Sequence, residues 1–449
     1  MSEADYARNF SDAHPLLTRA QAMIEAERCY YCYDAPCIAA CPTGIDVPSF
    51  IQRIAQDNLR GAARAILEAN PLGGMCARVC PTEVLCEEAC VRNASEAKPV
   101  EIGALQRFAV DGYLAEPGEP LFRRAADTGR RIAVVGGGPA GLACAHGLAR
   151  RGHAVVLFDA RAKLGGLNEY GIAAYKAADA FAQAEVRWLL SIGGIEARSQ
   201  QMLGRDFTLQ SLLDEYDAVF LGLGLAGTNA LGVDGEATGE AVRDAVDFIA
   251  QLRQAERPAE VPIGRRVVVI GGGMTAVDAA VQSRLLGAEE VTMVYRRGPD
   301  TMTASLAERH WAQTHGVTIR YWSAPTAVAQ EDGEVAGVRL AATALVDGRL
   351  VTTGEEHTIE ADMVLKAIGQ TYLPEPTGAA IALKGGRILT DANGRTSLAR
   401  VWAGGDCRYG GRDLTVEAVE HGKRSAVDID FALSGQEPDA APELEAAHG

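Results

Sequence analysis

Eight of the ten cysteines in this 449-residue chain lie between Cys29 and Cys90. They read Cys29-Tyr-Tyr-Cys32, Cys37 and Cys41-Pro42, then, after a helical spacer, Cys76, Cys80-Pro81, Cys86 and Cys90. Soft thiolates at such short spacings, two of them followed by proline, suit iron–sulfur clusters. In two-cluster ferredoxins the cysteine before proline ligates the other cluster. The spacing therefore predicts Cys29, Cys32 and Cys37 on one cluster with a distant cysteine of the second group, and Cys41 crossing to the other. Counting alone predicts two all-cysteine clusters. Zinc and disulfides compete with this reading. Zinc ribbons usually pair two C-x-x-C knuckles, and only Cys29/Cys32 has that spacing. Disulfides need an oxidising compartment, and the N-terminal residues do not resemble a secretory signal. Clustered thiols of this kind lead us to expect a cytoplasmic location.

The length suggests roughly two to four domains. A formal charge of −16 argues against a nucleic-acid binder, which needs basic patches. No apolar run reaches the length of about eighteen residues that a membrane span requires. Residues 1–28 are periodic, and one helix is expected with Leu16, Leu17, Ala20 and Ile24 on a common face. Further helices are expected over 49–59, 61–70 and 102–114, the last carrying Gln106. A stretch rich in proline, glycine and charge follows over 115–131, the composition of a linker.

Arg131–Val135 then reads as a buried strand, followed by Gly136, Gly138, Pro139, Ala140 and Gly141, a helix, and a second strand ending at Asp159. A lone G-x-G-x-x-G is a weak signal. Set between strand and helix, with an acid about twenty residues on, it is the dinucleotide fingerprint. Glycines let the backbone approach a pyrophosphate, the helix N-terminus favours its charge, and the acid accepts from ribose hydroxyls. The unit recurs 135 residues later: strand Arg266–Ile270, then Gly271, Gly273, Thr275 and Ala276, a helix, and a strand that ends at Arg296-Arg297 in place of an acid. Arginine there either meets a 2′-phosphate or is simply a solvated pair. Val401-Trp-Ala-Gly404-Gly405-Asp406, with Thr415 and Val416 opening a later helix, places an aspartate where a flavin ribityl chain could be bound; a helix-capping role is the bland alternative. Cys144, His310, His315 and His421 read as ordinary residues. Residues after Gly435 read as a frayed tail.

The whole order (eight cysteines, one fingerprint, a second nested within it, then Gly-Gly-Asp) resembles the glutamate synthase small-subunit family and the N-terminal half of dihydropyrimidine dehydrogenase. The electron-input subunits of bacterial two-subunit dihydropyrimidine dehydrogenases are the better match. The stretches that carry it are CYYCYDAPCIAACPTGIDVPSF, NPLGGMCARVCPTEVLCEEACV and IGALQRFAVDGYL. The resemblance implies an α/β chain: an α-helical domain with two 4Fe–4S clusters over 1–120, an FAD domain over 131–240 and 365–435, and an NAD(P)H domain over 241–364, the last two Rossmann-like and nested. It implies Cys29, Cys32, Cys37 and Cys90 on one cluster and Cys41, Cys80, Cys86 and Gln106 on the other, leaving Cys76 free. It implies FAD at Gly136, Gly138, Pro139, Ala140, Gly141, Asp159, Gly165, Gly166, Leu167, Gly405, Asp406, Thr415 and Val416. It implies NAD(P)H at Gly271, Gly273, Thr275 and Ala276, with Arg296 and Arg297 near the adenosine ribose. The NADP-using single-chain enzymes have a further basic residue where this chain has Thr303, so NADH is the expected donor, with NADPH poorer. No catalytic acid or base is expected. The implied partner is a pyrimidine-reducing subunit with FMN and iron–sulfur centres, in a hetero-oligomer, without nucleic acid or membrane. A glutamate synthase small subunit and a non-catalytic electron-transfer or assembly scaffold are the alternative readings.

Overall fold

The computed structural model describes residues 1–116, 118–237, 239–374, 377 and 381–435. The frayed tail expected after Gly435 lies outside the described residues. The chain divides into two compact units. One comprises the N-terminal residues through 117, Gly165–Glu185 and Leu225–Leu373; the other comprises Gly118–Leu164, Val186–Gly224 and the chain from Pro374 on.

The first unit begins with helices. Val47–Ala55 starts at Asp46, whose side chain accepts from the Ser49 N–H at 3.1 Å, and has proline in its first turn. Leu59–Ala69 starts at Asn58, which accepts from the Gly61 N–H at 2.9 Å. These caps satisfy donors that a helix start leaves unpaired. Phe50, Ile51, Ile54, Ile66 and Leu67 are then buried together with Leu105 and Val110 of helix Ile102–Ala115. Each such side chain contributes about 1.5–3 kcal/mol relative to exposure. Residues 1–28 depart from expectation. They form two helices, Glu3–Asn9 and Arg19–Glu27, and Leu16 and Ile24 are 46% and 68% exposed. Pro15 and a capping box between Thr18 and Gln21 start a new helix there, whose buried face is Ala22, Glu25 and Ala26.

Both nucleotide folds are present. In the second unit a parallel sheet runs in the order Val401–Ala403, Ala218–Leu221, Arg131–Val135, Ala154–Asp159, Ile195–Ser199. In the first unit another runs Val242–Asp244, Met363–Lys366, Arg266–Ile270, Glu290–Val294, Val317–Arg320. The central strands are continuous apolar runs because both their faces are covered. Each feeds a helix, Pro139–Arg150 in one and Met274–Leu286 in the other, at the point where strand order reverses. An antiparallel sheet of Ser323–Glu331, Glu334–Val346 and Arg349–Glu360 was not anticipated. Its Val328, Val335, Val338 and Leu340 pack with Val268, Ile270 and Val294 of the second parallel sheet.

Buried charge also ties the first unit together. The Lys176 ammonium lies 2.7 Å from both Asp278 and Glu308. Burial opposes its charge, but the two carboxylates raise its pKa above the usual lysine value. Glu185, fully buried, accepts from the N–H groups of Gly74 at 2.7 Å and Met75 at 3.2 Å. It thus caps helix Gly73–Val79, which has no cap of its own. Burial pushes the Glu185 carboxyl up to about 8, against the two backbone donors and Arg78.

An unfolded glutamate ionises near 4.3, so between about pH 4.5 and 8 the native state binds the extra proton and stability falls as pH rises. Glu185→Gln removes this slope. Its melting temperature relative to wild type is expected to rise from pH 5 to pH 8, by an effect on the order of a few kcal/mol; a difference independent of pH would refute the neutral carboxyl. Glu185→Ala should destabilise by about 1–3 kcal/mol at pH 5, since both donors lose their partner, and by less at pH 8, since it removes the same slope.

Candidate functional site

The cysteines gather in two groups of four. Cys29, Cys32, Cys37 and Cys90 line one cavity, together with Pro36, Pro48 and Ile51. Arg92 lines it too. Arg92, two residues after Cys90, donates to the Arg28 carbonyl at 2.5 Å and lies 3.8 Å over the Tyr30 ring. Arg28 in turn donates to the carbonyls of Lys98 and Pro99. Burial, then the neighbouring Cys29 and Cys90, pushes the Cys37 thiol up to about 12.

In the second group Cys80 is surrounded by Cys76, Cys86 and Cys41; a hydrogen bond with Cys76, then burial, raises its pKa. Cys76 is one helical turn before Cys80, so their closeness follows from helix geometry. Glu87 accepts from the Gly103 N–H at 2.9 Å and fastens the Cys86 segment to helix Ile102–Ala115. Gln106, on that helix and 7% exposed, donates its amide N–H to the Gly73 carbonyl at 2.6 Å. Its amide oxygen remains available as a donor atom. Among the described residues no three His, Cys, Asp or Glu side chains converge as a single metal ion requires. Two four-thiol groups fit clusters instead, in which each iron takes one thiolate.

In the second unit, Gly136 has φ +101, and a Cβ there would come 2.2 Å from the Gly222 carbonyl oxygen. A Cβ on Gly141 would come 1.8 Å from the Gly136 oxygen. Only glycine permits this approach, which brings strand, turn and helix close enough to leave the first turn of Pro139–Arg150, with Ala140 buried, open to an anion. Gly138 is its N-cap and supplies no side chain. Asp159, at its strand end, accepts from the N–H groups of Gly137 and Arg161, both at 2.7 Å. Burial raises its pKa. Helix Thr415–Ser434 crosses Pro139–Arg150 closely: a Cβ on Gly422 would meet the Ala140 oxygen at 2.1 Å. Gly405 sits beside Ala140, which sets Asp406 next to the glycine turn, with Thr415 and buried Val416 at the helix start. Burial and then Asp413 push Asp406 up to about 6, with Arg387 opposing. His421 is not ordinary: its Nδ1 accepts from the Gly405 N–H at 3.3 Å, and burial pushes it down to about 4. Its place on the helix that Thr415 opens was the only sequence signal. Gly165 and Gly166, both at positive φ, and Leu167 precede a short helix in the first unit.

The second glycine turn repeats this geometry. Gly271 has φ +150, and a Cβ there would meet the Ala367 oxygen at 2.2 Å. Gly273 is the uncapped N-cap of Met274–Leu286, with Thr275 in the first turn and Ala276 buried. Thr303 donates to the Gly272 carbonyl at 3.3 Å, so the residue that replaces a basic one supports the turn. Arg296 is exposed and Arg297 half-buried at the end of the following strand.

Residues 6–117 match the family described as dihydropyrimidine dehydrogenase domain II, 4Fe-4S cluster, and residues 130–422 match the pyridine nucleotide-disulphide oxidoreductase family. The NAD-dependent dihydropyrimidine dehydrogenase subunit PreT of Escherichia coli (strain K12) is 34% identical over 421 residues, covering 94% of this chain and 96% of that protein. The glutamate synthase [NADPH] small chain of the same organism is 32% identical over 447 residues, covering 94% and 93%. Among solved structures, Mycobacterium tuberculosis FprA in complex with NADPH superposes with a TM-score of 0.57 at 19% identity, over 68% of this chain and 84% of that one, a likeness of fold. No helix among the described residues is long and apolar enough to cross a membrane. The chain belongs to the pyridine nucleotide-disulphide oxidoreductase family, as an oxidoreductase with FAD and NAD(P) folds preceded by a 4Fe–4S domain of the dihydropyrimidine dehydrogenase type.

Proposed function

We propose that this chain is the electron-input subunit of an NAD-dependent dihydropyrimidine dehydrogenase. It would take electrons from NADH and deliver them to a PreA-type partner, carrying FMN and iron–sulfur centres, that reduces uracil or thymine to the 5,6-dihydropyrimidine. The observation that supports this best is the nearly end-to-end similarity to subunit PreT, with two four-thiol groups and two glycine turns in one chain. We place the pair of subunits in the cytoplasm as a hetero-oligomer. The glutamate synthase small chain, covered almost as fully, keeps a second reading open, in which the electrons serve a glutamine-dependent partner.

In this reading residues 1–120 hold the clusters, 131–240 with 365–435 the FAD, and 241–364 the NADH. When bound, FAD accepts a hydride and returns electrons singly, as clusters require. The chain's own task is placement. The Gly136–Gly141 turn and the helix N-terminus behind it take the flavin pyrophosphate. Asp159 accepts from ribose and Asp406 from the ribityl chain. Gly165, Gly166 and Leu167 add backbone contacts. Gly271, Gly273, Thr275 and Ala276 do the same for NADH, with Arg296 and Arg297 at its adenosine end. Hydride transfer needs aligned rings more than an acid or base, so no residue is assigned a proton. Cys29, Cys32, Cys37 and Cys90 hold one cluster. Cys41, Cys80 and Cys86 hold the other with the Gln106 amide oxygen. Cys76 is the rival fourth ligand on the strength of its place beside Cys80.

Three measurements test this. Under anaerobic conditions the purified chain should reduce an artificial dye with NADH alone, but uracil only after a PreA-type subunit is added; turnover restored instead by a glutamate synthase large subunit would select the second reading. Gln106→Ala should lose about half of the bound iron and one cluster signal by electron paramagnetic resonance, while Cys76→Ser keeps both; the opposite pair of results reassigns the ligand. The Michaelis constant for NADH should lie below that for NADPH, and the reverse order would show that Arg296 and Arg297 suffice to bind a 2′-phosphate.

A further inference from the structure

Two adjacent parallel strands, Glu290–Val294 and Val317–Arg320, end side by side, and their loops run Tyr295-Arg296-Arg297-Gly298 and Tyr321-Trp322. Trp322 has φ +54. The left-handed region costs a non-glycine residue about 1–2 kcal/mol, and a bulky side chain there is a true outlier. The conformation is held from both sides. The Trp322 N–H donates to the Arg297 carbonyl at 3.1 Å, and its own carbonyl accepts from the Thr343 N–H at 2.9 Å. The Thr343 hydroxyl donates to the Arg296 carbonyl at 2.8 Å. The indole lies against Gly298, where a Cβ would come within 2.5 Å of it.

Core filling does not explain this arrangement, since Trp322 remains 36% exposed. The strain holds a large aromatic surface at the carboxyl end of a nucleotide-binding sheet, the edge where such folds receive their ligands. Arg296 and Arg297 border it, and among the described residues neither guanidinium has an ion-pair partner. An aromatic face beside a guanidinium is the kind of platform on which a base stacks.

We propose that Trp322 is the adenine-stacking residue of the dinucleotide site, held in the left-handed region so that its indole faces the ligand. This rests on reading Gly271–Ala276 as the turn that binds NADH. The polar neighbours then divide the work: the glycine turn takes the pyrophosphate, Arg296 and Arg297 the ribose, and Trp322 the base.

The test titrates ADP-ribose, which carries the adenosine and pyrophosphate without nicotinamide, into the full-length holoprotein by calorimetry and tryptophan fluorescence. Stacking on an aromatic side chain is worth about 1–3 kcal/mol per base. Trp322→Ala and Trp322→Asn should therefore weaken ADP-ribose roughly 5- to 150-fold. The Michaelis constant for NADH should rise in parallel, with kcat toward a dye unchanged, and Trp322→Phe should retain most of the affinity. Asparagine tolerates the left-handed region, so Trp322→Asn should melt at or above the wild-type temperature while binding less well, a combination that a purely structural role would not produce. Unchanged ADP-ribose affinity in both the alanine and asparagine variants overturns the proposal. A wild-type chain that binds no ADP-ribose overturns it together with the nucleotide reading of the Gly271 turn, which separates the two failures.

Discussion

At the head of each parallel sheet, backbone touches backbone with no room for a side chain. Gly136 against Gly222, Gly141 against Gly136 and Gly271 against Ala367 are contacts that a single methyl group would break. Everything that makes these folds useful follows from that closeness. It turns a buried strand into a helix within a few residues, leaves the first N–H groups of the helix unpaired at the sheet's edge, and draws a second helix in through Gly422 until Asp406 stands beside the turn. The geometry is steric before it is electrostatic. The partial charge of a helix start is of use only because nothing shields it.

The helical N-terminal part works by the opposite principle. Its thiols are held by long polar side chains that reach across the sequence: Arg92 to the Arg28 carbonyl, Arg28 to residues 98 and 99, Glu87 to Gly103, and Glu185 to the start of the helix that bears Cys76. An apolar core alone would leave cysteine-bearing loops free to slide. Directional hydrogen bonds to backbone atoms set them in place, and all but the exposed bond from Arg28 to the Lys98 carbonyl are partly or wholly buried, so losing one strands a polar group away from water.

What could be read from the sequence follows the same division. The glycine turns, their strands and the cysteine groups were legible because steric and ligand demands restrict residue type at fixed spacing. The single helix expected over 1–28 failed because periodicity ignored Pro15 and the Thr18 cap, which restart the helix on a different face. The sheet over Ser323–Glu360 escaped notice because its last strand is almost wholly exposed and carries no apolar alternation. His421, Glu185 and the Lys176–Asp278–Glu308 cluster were invisible for a deeper reason. Their partners lie from 16 to 132 residues away, and nothing in a single residue's type announces a partner that distant.

The nesting of the two parallel sheets bears on how the protein is made. The sheet that carries the Gly136 turn is completed by Val401–Ala403, and the sheet that carries the Gly271 turn begins with Val242–Asp244 and closes with Met363–Lys366. A ribosome therefore finishes the later-starting sheet first. The earlier one waits with its Ala218–Leu221 edge unpaired until some 180 further residues have emerged. Pairings of such long sequence separation form slowly, and an open strand edge invites wrong partners meanwhile. The eight clustered cysteines, in contrast, all emerge within the first quarter of the chain, and the helix that bears Cys76 waits only for Glu185 to cap it.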